Sequence, residues 1–201
     1  MMSLLYLTAT LIVALVGYAA YRVLRARRAW QAVADAYGLS CALGGPFDEF
    51  ELRGNAKNYP LTVETEAPSG FEDPRRTTRF KVTLGPEFPR GLTLFSRTDG
   101  DEQEARFAGP EVEVGRDELA RHFAVKGGPV DEIVPFLDDR GVEQALVGLH
   151  KVARRVELQN GKMLLERQYL TYKQSDLEAT LDRLLNCAEV LDRRSEKGGS
   201  P

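Results

Sequence analysis

The segment 154–170, RRVELQNGKMLLERQYL, predicts a β-hairpin. Its two halves carry apolar residues at alternate positions. They flank the dipeptide Asn160-Gly161, whose residues readily take the positive φ angles of a two-residue turn. A long amphipathic helix follows at 175–193, and the tetrapeptide SDLE at 175–178 matches a capping box. One face of that helix predicts a buried stripe made of Leu177, Leu181, Leu184, Leu185, Ala188 and Leu191.

Upstream of the hairpin, short alternating runs predict further strands, separated by segments rich in glycine and proline. These runs lie at 39–43, 49–53, 60–66, 78–84 and 92–97. Helical spacing then predicts three amphipathic helices at 117–123, 132–137 and 142–152. Strands in runs, then helices, then a hairpin favour an α+β fold, with an antiparallel sheet and flanking helices, over a doubly wound parallel sheet.

The N-terminal segment 4–21, LLYLTATLIVALVGYAAY, contains no charged side chain over its 18 residues. As a helix it would extend about 27 Å at ~1.5 Å per residue, close to the ~30 Å hydrocarbon core of a bilayer. A helix that is apolar on every side needs apolar surroundings. We therefore predict a transmembrane anchor and its basic flank at 1–28. The membrane-contacting residues of this anchor include Leu4, Tyr6, Tyr18 and Tyr21, with the tyrosines near the two boundaries.

Four arginines follow the apolar segment, and their position predicts its orientation. These topology-determining residues are Arg22, Arg25, Arg27 and Arg28. Because basic residues resist translocation, we expect a single-pass protein of the inner (cytoplasmic) membrane, with its N-terminus outside and its C-terminal domain in the cytoplasm. The alternative is a signal peptide cleaved near Gly17-Tyr18-Ala19, which would release a secreted protein. Signal peptides, however, carry their basic residues before the apolar region.

Beyond the anchor we predict one cytosolic α+β domain at 29–194, with 29–115 and 116–194 as candidate lobes, and a disordered tail at 195–201. Helical spacing continues past the membrane through Trp30, Val33, Ala34 and Tyr37. Trp30 is either an interfacial residue or part of the domain core. The core interpretation is favoured because Trp30 shares a face with Val33 and Tyr37.

The charge balance excludes one class of partner. After residue 28 the chain carries 23 of its 27 basic side chains and all 30 acidic ones. A soluble part with that negative balance is a poor ligand for nucleic-acid phosphates. We therefore expect no nucleic acid as a partner. The predicted anchor instead leads us to expect the bilayer and a membrane protein as partners.

No catalytic or ligand-binding motif is present. His122 and His150 have no metal-ligand spacing to another His, Cys or acid, and phosphate-loop and nucleophile-elbow motifs are missing. Cys41 and Cys187 are expected to be buried thiols, and no cofactor or metal is predicted. The acidic clusters, expected to be solvated, are Asp99 with Asp101 and Glu102, Asp131-Glu132, and Asp138-Asp139.

Two sequence stretches carry a resemblance to a family of uncharacterised bacterial membrane-anchored proteins. They are WxxxAxxYGL at 30–39 and VGRDELARHFAV at 114–125. The resemblance implies the same layout of anchor, strands, hairpin and final helix, and no activity. The sequence favours a membrane-tethered, non-enzymatic interaction or scaffold domain. The alternative that stays open is a membrane-bound, hydrolase-like enzyme that uses loop carboxylates or Cys41.

Overall fold

The structure, a computed structural model, describes residues 2–44, 49–66, 76–86, 88–97, 109–168, 171 and 173–198. For residues 2–5, 7–9, 197 and 198 the description covers the backbone only. The described residues form five α-helices and eight β-strands. In chain order these are α1 (Met2–Tyr37), β1 (Ser40–Leu43), β2 (Phe50–Ala56), β3 (Tyr59–Glu66), β4 (Thr77–Thr83), β5 (Thr93–Ser96), α2 (Asp117–His122), β6 (Phe123–Lys126), α3 (Val130–Leu137), α4 (Arg140–His150), β7 (Arg155–Gln159), β8 (Lys162–Gln168) and α5 (Gln174–Gly198).

All eight strands belong to one sheet, in the order β1-β2-β3-β4-β8-β7-β5-β6. Every neighbouring pair is antiparallel. The predicted α+β fold with an antiparallel sheet and flanking helices is confirmed. The boundary at 115/116 between the candidate lobes falls within this sheet, because β5 pairs with both β6 and β7.

The predicted hairpin is confirmed and occupies the middle of the sheet. Asn160 and Gly161 have φ angles of 50° and 70°, so both adopt the left-handed conformation that a tight hairpin turn requires. The register runs from Gln159 opposite Lys162 to Arg155 opposite Glu166. Since β8 pairs with β4 and β7 pairs with β5, the hairpin joins the β1–β4 meander to the β5–β6 pair.

The core lies between one face of the sheet and the helices. Helix α5 packs against α1, α4 and β4, and its whole predicted stripe from Leu177 to Leu191 is completely buried. The helical spacing therefore identified the buried face of α5 correctly. Alternate residues of the sheet face α5 and its neighbours, and they include Phe50, Leu52, Leu61, Val63, Phe80, Val82, Val156, Leu158, Met163 and Leu165.

One strand was not predicted. Helix α2 ends at His122, and Phe123 begins strand β6, where the sequence pattern indicated that the helix continued through residue 123. Phe123, Ala124 and Val125 are all buried, and β6 pairs with β5 along its length. The strand forms because this apolar run gains a partner strand from a distant part of the chain.

Helix α5 is longer than predicted at both ends. It begins at Gln174, and the carboxylate of Glu178 accepts a hydrogen bond from the Gln174 side chain at 2.8 Å, so the predicted capping box led by Ser175 is wrong. The helix continues to Gly198. Ser195 is buried and donates its hydroxyl to the Leu191 carbonyl oxygen at 3.0 Å. The start of the predicted disordered tail is therefore helical, and residues 199–201 lie outside the described residues.

Candidate membrane-facing site

Between Thr10 and Tyr21, helix α1 presents apolar side chains to solvent on all sides. Among the described residues, every exposed large hydrophobic side chain except Val130 lies on this helix. These α1 residues are Tyr6, Leu11, Ile12, Val13, Leu15, Val16, Tyr18, Tyr21 and Leu24. Consecutive positions such as Leu11, Ile12 and Val13 point in different directions around a helix, so the exposure is not confined to one face. Soluble proteins rarely expose a contiguous apolar surface of this kind.

Tyr6, Tyr18 and Tyr21 of the predicted anchor are described and exposed, whereas the side chain of Leu4 lies outside the described residues. Counting described residues alone, none of the helices combines the length and the apolar character that a membrane crossing requires.

The four arginines of the basic flank separate into different environments. Arg27 is half-buried and donates from its guanidinium to the carbonyl oxygens of Leu43, at 3.1 Å, and Gly44. The Arg22 guanidinium lies over the ring of Tyr18, 5.9 Å from its centroid. Arg25 and Arg28 are exposed and face the start of α5. Arg27 therefore holds the end of β1 against α1, a role that the charge pattern did not reveal.

The C-terminal part of α1 is part of the domain core. Trp30 is completely buried, which confirms the core interpretation of this residue. Its ring packs edge-on against Phe50, with ring centroids 5.5 Å apart, and its indole N–H donates to the Thr171 carbonyl oxygen at 3.1 Å. Val33 and Ala34 of the next turn are also completely buried. The exposed apolar part and the buried part belong to one uninterrupted helix.

A hydrogen bond joins α1 to α5 near the end of α1. The Tyr37 hydroxyl donates to Asp182 Oδ1 at 2.6 Å. Burial, together with this bond and the nearby carboxylates of Asp182 and Glu178, raises the pKa of Tyr37 well above its ordinary value. The neutral hydroxyl is thus the stable donor form in this contact between α1 and α5.

The two histidines lie together, which the sequence did not indicate. The rings of His122 and His150 stack with their centroids 4.6 Å apart. The hydroxyl of Ser96 is 3.4 Å from His150 Nδ1. That hydroxyl, however, accepts from the Val156 N–H at 2.9 Å, and Ser96 is only 1% exposed. A buried serine that binds the backbone of its neighbouring strand is not available to attack a substrate, so this cluster lacks an accessible nucleophile.

The other candidate catalytic groups also have structural explanations. Cys41 lies on β1, at the opposite end of the sheet from the histidines, and burial followed by the charge of Asp35 raises the pKa of its thiol. That direction is opposite to the one that activates a nucleophilic cysteine. Asp139 caps α4 by accepting from the Gly141 and Val142 amides. The cluster at 99–102 lies outside the described residues, and within the described ones no group of His, Cys, Asp and Glu could hold a metal ion.

The sheet face opposite the core is polar over its central strands. Glu51, Glu64, Arg79, Glu166 and Arg155 form a row in register across β2, β3, β4, β8 and β7. Arg79 donates to Glu166 at 3.2 Å in the middle of this row. Such a face is typical of an antiparallel sheet that helices cover on one side only.

The comparisons with known proteins place the chain by fold. Neither a protein-family model nor a curated protein matches the sequence. Among solved structures, the chain is similar in fold to the mycobacterial trehalose monomycolate transport factor A, TtfA, with a TM-score of 0.53 and 10% sequence identity. The matched region covers 82% of this chain and 93% of that chain. At this identity the likeness concerns the fold alone: an α+β domain built on an antiparallel sheet.

Proposed function

We propose that this protein is a membrane-tethered, non-enzymatic interaction domain. The observation that carries the proposal is the continuity of α1. Its N-terminal part exposes apolar side chains on all sides, and its C-terminal part is buried in the domain core at Trp30. A bilayer would cover the first part, and the second part would then hold the domain at a fixed angle and a short distance from the membrane.

The arginines that follow the apolar segment support an orientation with the domain in the cytoplasm. Arg22, Arg25 and Arg28 are exposed where α1 leaves the proposed membrane region. Basic residues at this position favour retention on the cytoplasmic side. The N-terminus would therefore lie outside the inner membrane of a bacterial cell.

A tethered domain gains most by binding another protein in the same membrane. The tether replaces free diffusion by a high effective concentration, so a weak contact becomes sufficient. TtfA, to which the chain is similar in fold, is a transport factor, and we take membrane transport machinery as the class of partner that this domain assists.

Membrane fractionation of the full-length chain with one matched pair of variants tests the anchor. The double variant Ile12→Arg/Val16→Arg places two charges in the middle of the apolar segment, each costing about 2.5–3.5 kcal/mol of insertion free energy. We expect the wild-type protein to stay in the membrane pellet after carbonate extraction and the double variant to become extractable.

The control is Val130→Arg, which makes the same type of change at an exposed apolar residue of the domain (52% exposed, against 60% for Ile12). It should remain in the pellet. Release of the wild-type protein by carbonate would overturn the proposal. Digestion of the domain by a protease added outside intact spheroplasts would overturn the orientation.

A further inference from the structure

A cleft opens between α1 and the start of α5, beside the point where α1 leaves the proposed membrane region. It has a volume of about 630 Å³. One wall comes from α1 and the other from the residues around the first turns of α5. Its lining residues are Arg25, Arg28, Ala29, Ala32, Lys173, Gln174, Ser175 and Glu178.

Three cationic side chains from two distant parts of the chain converge on this cleft. Arg25 and Arg28 are exposed on α1, one helical turn apart, and Lys173 is exposed just before α5. Within the described part of the chain, the charged groups of these three residues make no hydrogen bond or ion pair. The single carboxylate of the cleft belongs to Glu178, and it accepts a hydrogen bond from the Gln174 side chain at 2.8 Å. The cleft therefore has a positive balance and unpaired donors.

A hydrogen bond beside the cleft holds the chain just before α5 against α1. Trp30 lies between Ala29 and Ala32 in the sequence of α1, and its indole N–H donates to the Thr171 carbonyl oxygen at 3.1 Å. Thr171 is buried and lies two residues before Lys173. The hydrogen bond thus holds the chain at Thr171, two residues before Lys173, against α1.

The depth of the cleft matches the headgroup layer. The apolar segment ends at Tyr21, so at ~1.5 Å per residue Arg25 lies about 6 Å and Arg28 about 10 Å further along the helix axis. The polar headgroup layer on each side of a bilayer is roughly 5–8 Å thick. An anchored α1 would therefore place the cleft at the level of the lipid phosphates and just beyond them, on the side of the domain.

We propose that this cleft binds the phosphate of an anionic lipid headgroup, a proposal that rests on the membrane anchor proposed above. Arginine guanidinium groups bind phosphate oxygens through paired N–H donors, and Lys173 and the Ser175 hydroxyl add further donors. Three cationic groups against the one carboxylate of Glu178 leave the cleft with a net positive charge, which suits a phosphodiester anion such as that of phosphatidylglycerol. The position of the cleft at the headgroup level favours a lipid phosphate over free inorganic phosphate. The bound headgroup would hold the domain against the membrane surface.

Native mass spectrometry of the full-length chain in a neutral detergent tests this site. Phosphatidylglycerol and phosphatidylcholine are added in equal amounts. We expect the wild-type protein to retain phosphatidylglycerol in at least roughly tenfold excess, because basic groups near a membrane surface attract anionic lipid. The variant Arg25→Gln/Arg28→Gln/Lys173→Gln should lose that preference. The single variant Lys173→Gln, which leaves all four arginines of α1 in place, should lose part of it.

The matched control is Arg140→Gln/Lys151→Gln/Arg183→Gln, which removes the same charge from three exposed residues elsewhere and should keep the lipid preference. Equal retention of the two lipids by the wild-type protein, or equal loss in the control variant, would overturn the lipid site. Displacement of phosphatidylglycerol by millimolar inorganic phosphate, at constant ionic strength, would overturn it in favour of a free-anion site.

Carbonate extraction of the same proteins separates this proposal from the proposed function. If the wild-type chain stays in the membrane but shows no preference for phosphatidylglycerol, the headgroup site is wrong and the anchor stands. If carbonate releases the wild-type chain, the anchor is wrong, and the headgroup site that depends on it is wrong as well.

Discussion

The indole N–H of Trp30 donates to the Thr171 carbonyl oxygen at 3.1 Å, a contact between residues 141 positions apart in the chain. Both residues are buried. Trp30 lies where α1, which carries the exposed apolar surface, enters the domain. Thr171 lies in the segment just before α5. The hydrogen bond therefore couples the proposed anchor to the segment that leads into α5.

Replacing Trp30 should destabilise the domain in two distinguishable steps. Trp30→Phe keeps an aromatic ring against Phe50 but leaves the buried Thr171 carbonyl oxygen without its donor, which should cost about 1–3 kcal/mol. Trp30→Ala also removes the ring and should cost about 3–5 kcal/mol. Denaturant unfolding of the full-length chain in detergent, followed by circular dichroism, measures both values.

The matched control for this prediction is Tyr21→Phe, which removes a polar group from an exposed aromatic residue of the same helix. It should change the unfolding free energy by no more than about 0.5 kcal/mol. A Trp30→Phe variant as stable as this control would show that the hydrogen bond to Thr171 does not stabilise the domain.

Two arginines of the basic flank should differ in how much they contribute to the stability of the domain. Arg27→Gln removes the donors to the carbonyl oxygens of Leu43 and Gly44, and we expect a loss of about 1–3 kcal/mol in unfolding free energy. Arg28→Gln removes the same charge from an exposed side chain and should stay within about 0.5 kcal/mol of the wild-type protein. Thermal unfolding of both variants checks this. Equal stabilities would mean that Arg27 acts through its charge alone.

The elements that were predicted correctly are those whose information is local. The alternating runs around Asn160-Gly161 specify the hairpin through turn geometry and strand period, and neither depends on the rest of the chain. The buried stripe of α5 follows from helical spacing in the same way. Strand β6 was missed because a short apolar run such as 123–126 fits a buried helix end as well as a strand, and only its pairing with β5 decides between them.

The candidate site shows the same division. The apolar segment and the arginines after it can be recognised from composition, whereas the separate role of Arg27 depends on carbonyl groups of Leu43 and Gly44 that the fold brings near. Lys173 reaches Arg25 and Arg28 only because α5 packs against α1. The contact between the rings of His122 and His150 likewise follows from the packing of α2 on α4. No pattern in the sequence around either histidine predicts this contact.

The close approach of two glycines, Gly127 and Gly91, predicts that a side chain at Gly127 lowers stability. Gly127 has a φ angle of 87°, and a Cβ atom at this position would overlap the carbonyl oxygen of Gly91. Gly127→Ala should therefore lower the unfolding free energy by at least about 2 kcal/mol, from backbone strain and the displaced loop together. Gly148→Ala is the matched control, because it lies within α4 with open space around its Cβ position.

Gly148→Ala should raise the unfolding free energy by about 0.5–1 kcal/mol, since alanine favours the helix. Thermal unfolding compares the two variants in the same detergent. If Gly127→Ala left the unfolding free energy unchanged or raised it, the close approach of Gly127 to Gly91 would not be a constraint on the fold.

The histidine pair predicts how stability depends on pH. Burial, and to a smaller extent the charge of His122, lowers the pKa of His150 below its ordinary value of 6.5. The unfolded chain therefore binds a proton at His150 more readily than the native protein does. Stability should be greatest above about pH 6.5 and should fall as the pH decreases, until native His150 itself titrates. One proton limits the slope to about 1.4 kcal/mol per pH unit.

Unfolding of the full-length chain between about pH 7.5 and 5.5, above the range of ordinary carboxylates, measures this slope. His150→Gln should remove it. His122→Gln should reduce it only in part, because burial, the larger cause, remains. Nuclear magnetic resonance titration of His150 in the His122→Gln variant should accordingly show a pKa that rises toward 6.5 without reaching it. A pKa that returned fully to 6.5 would show that the charge of His122, and not burial, dominates the shift.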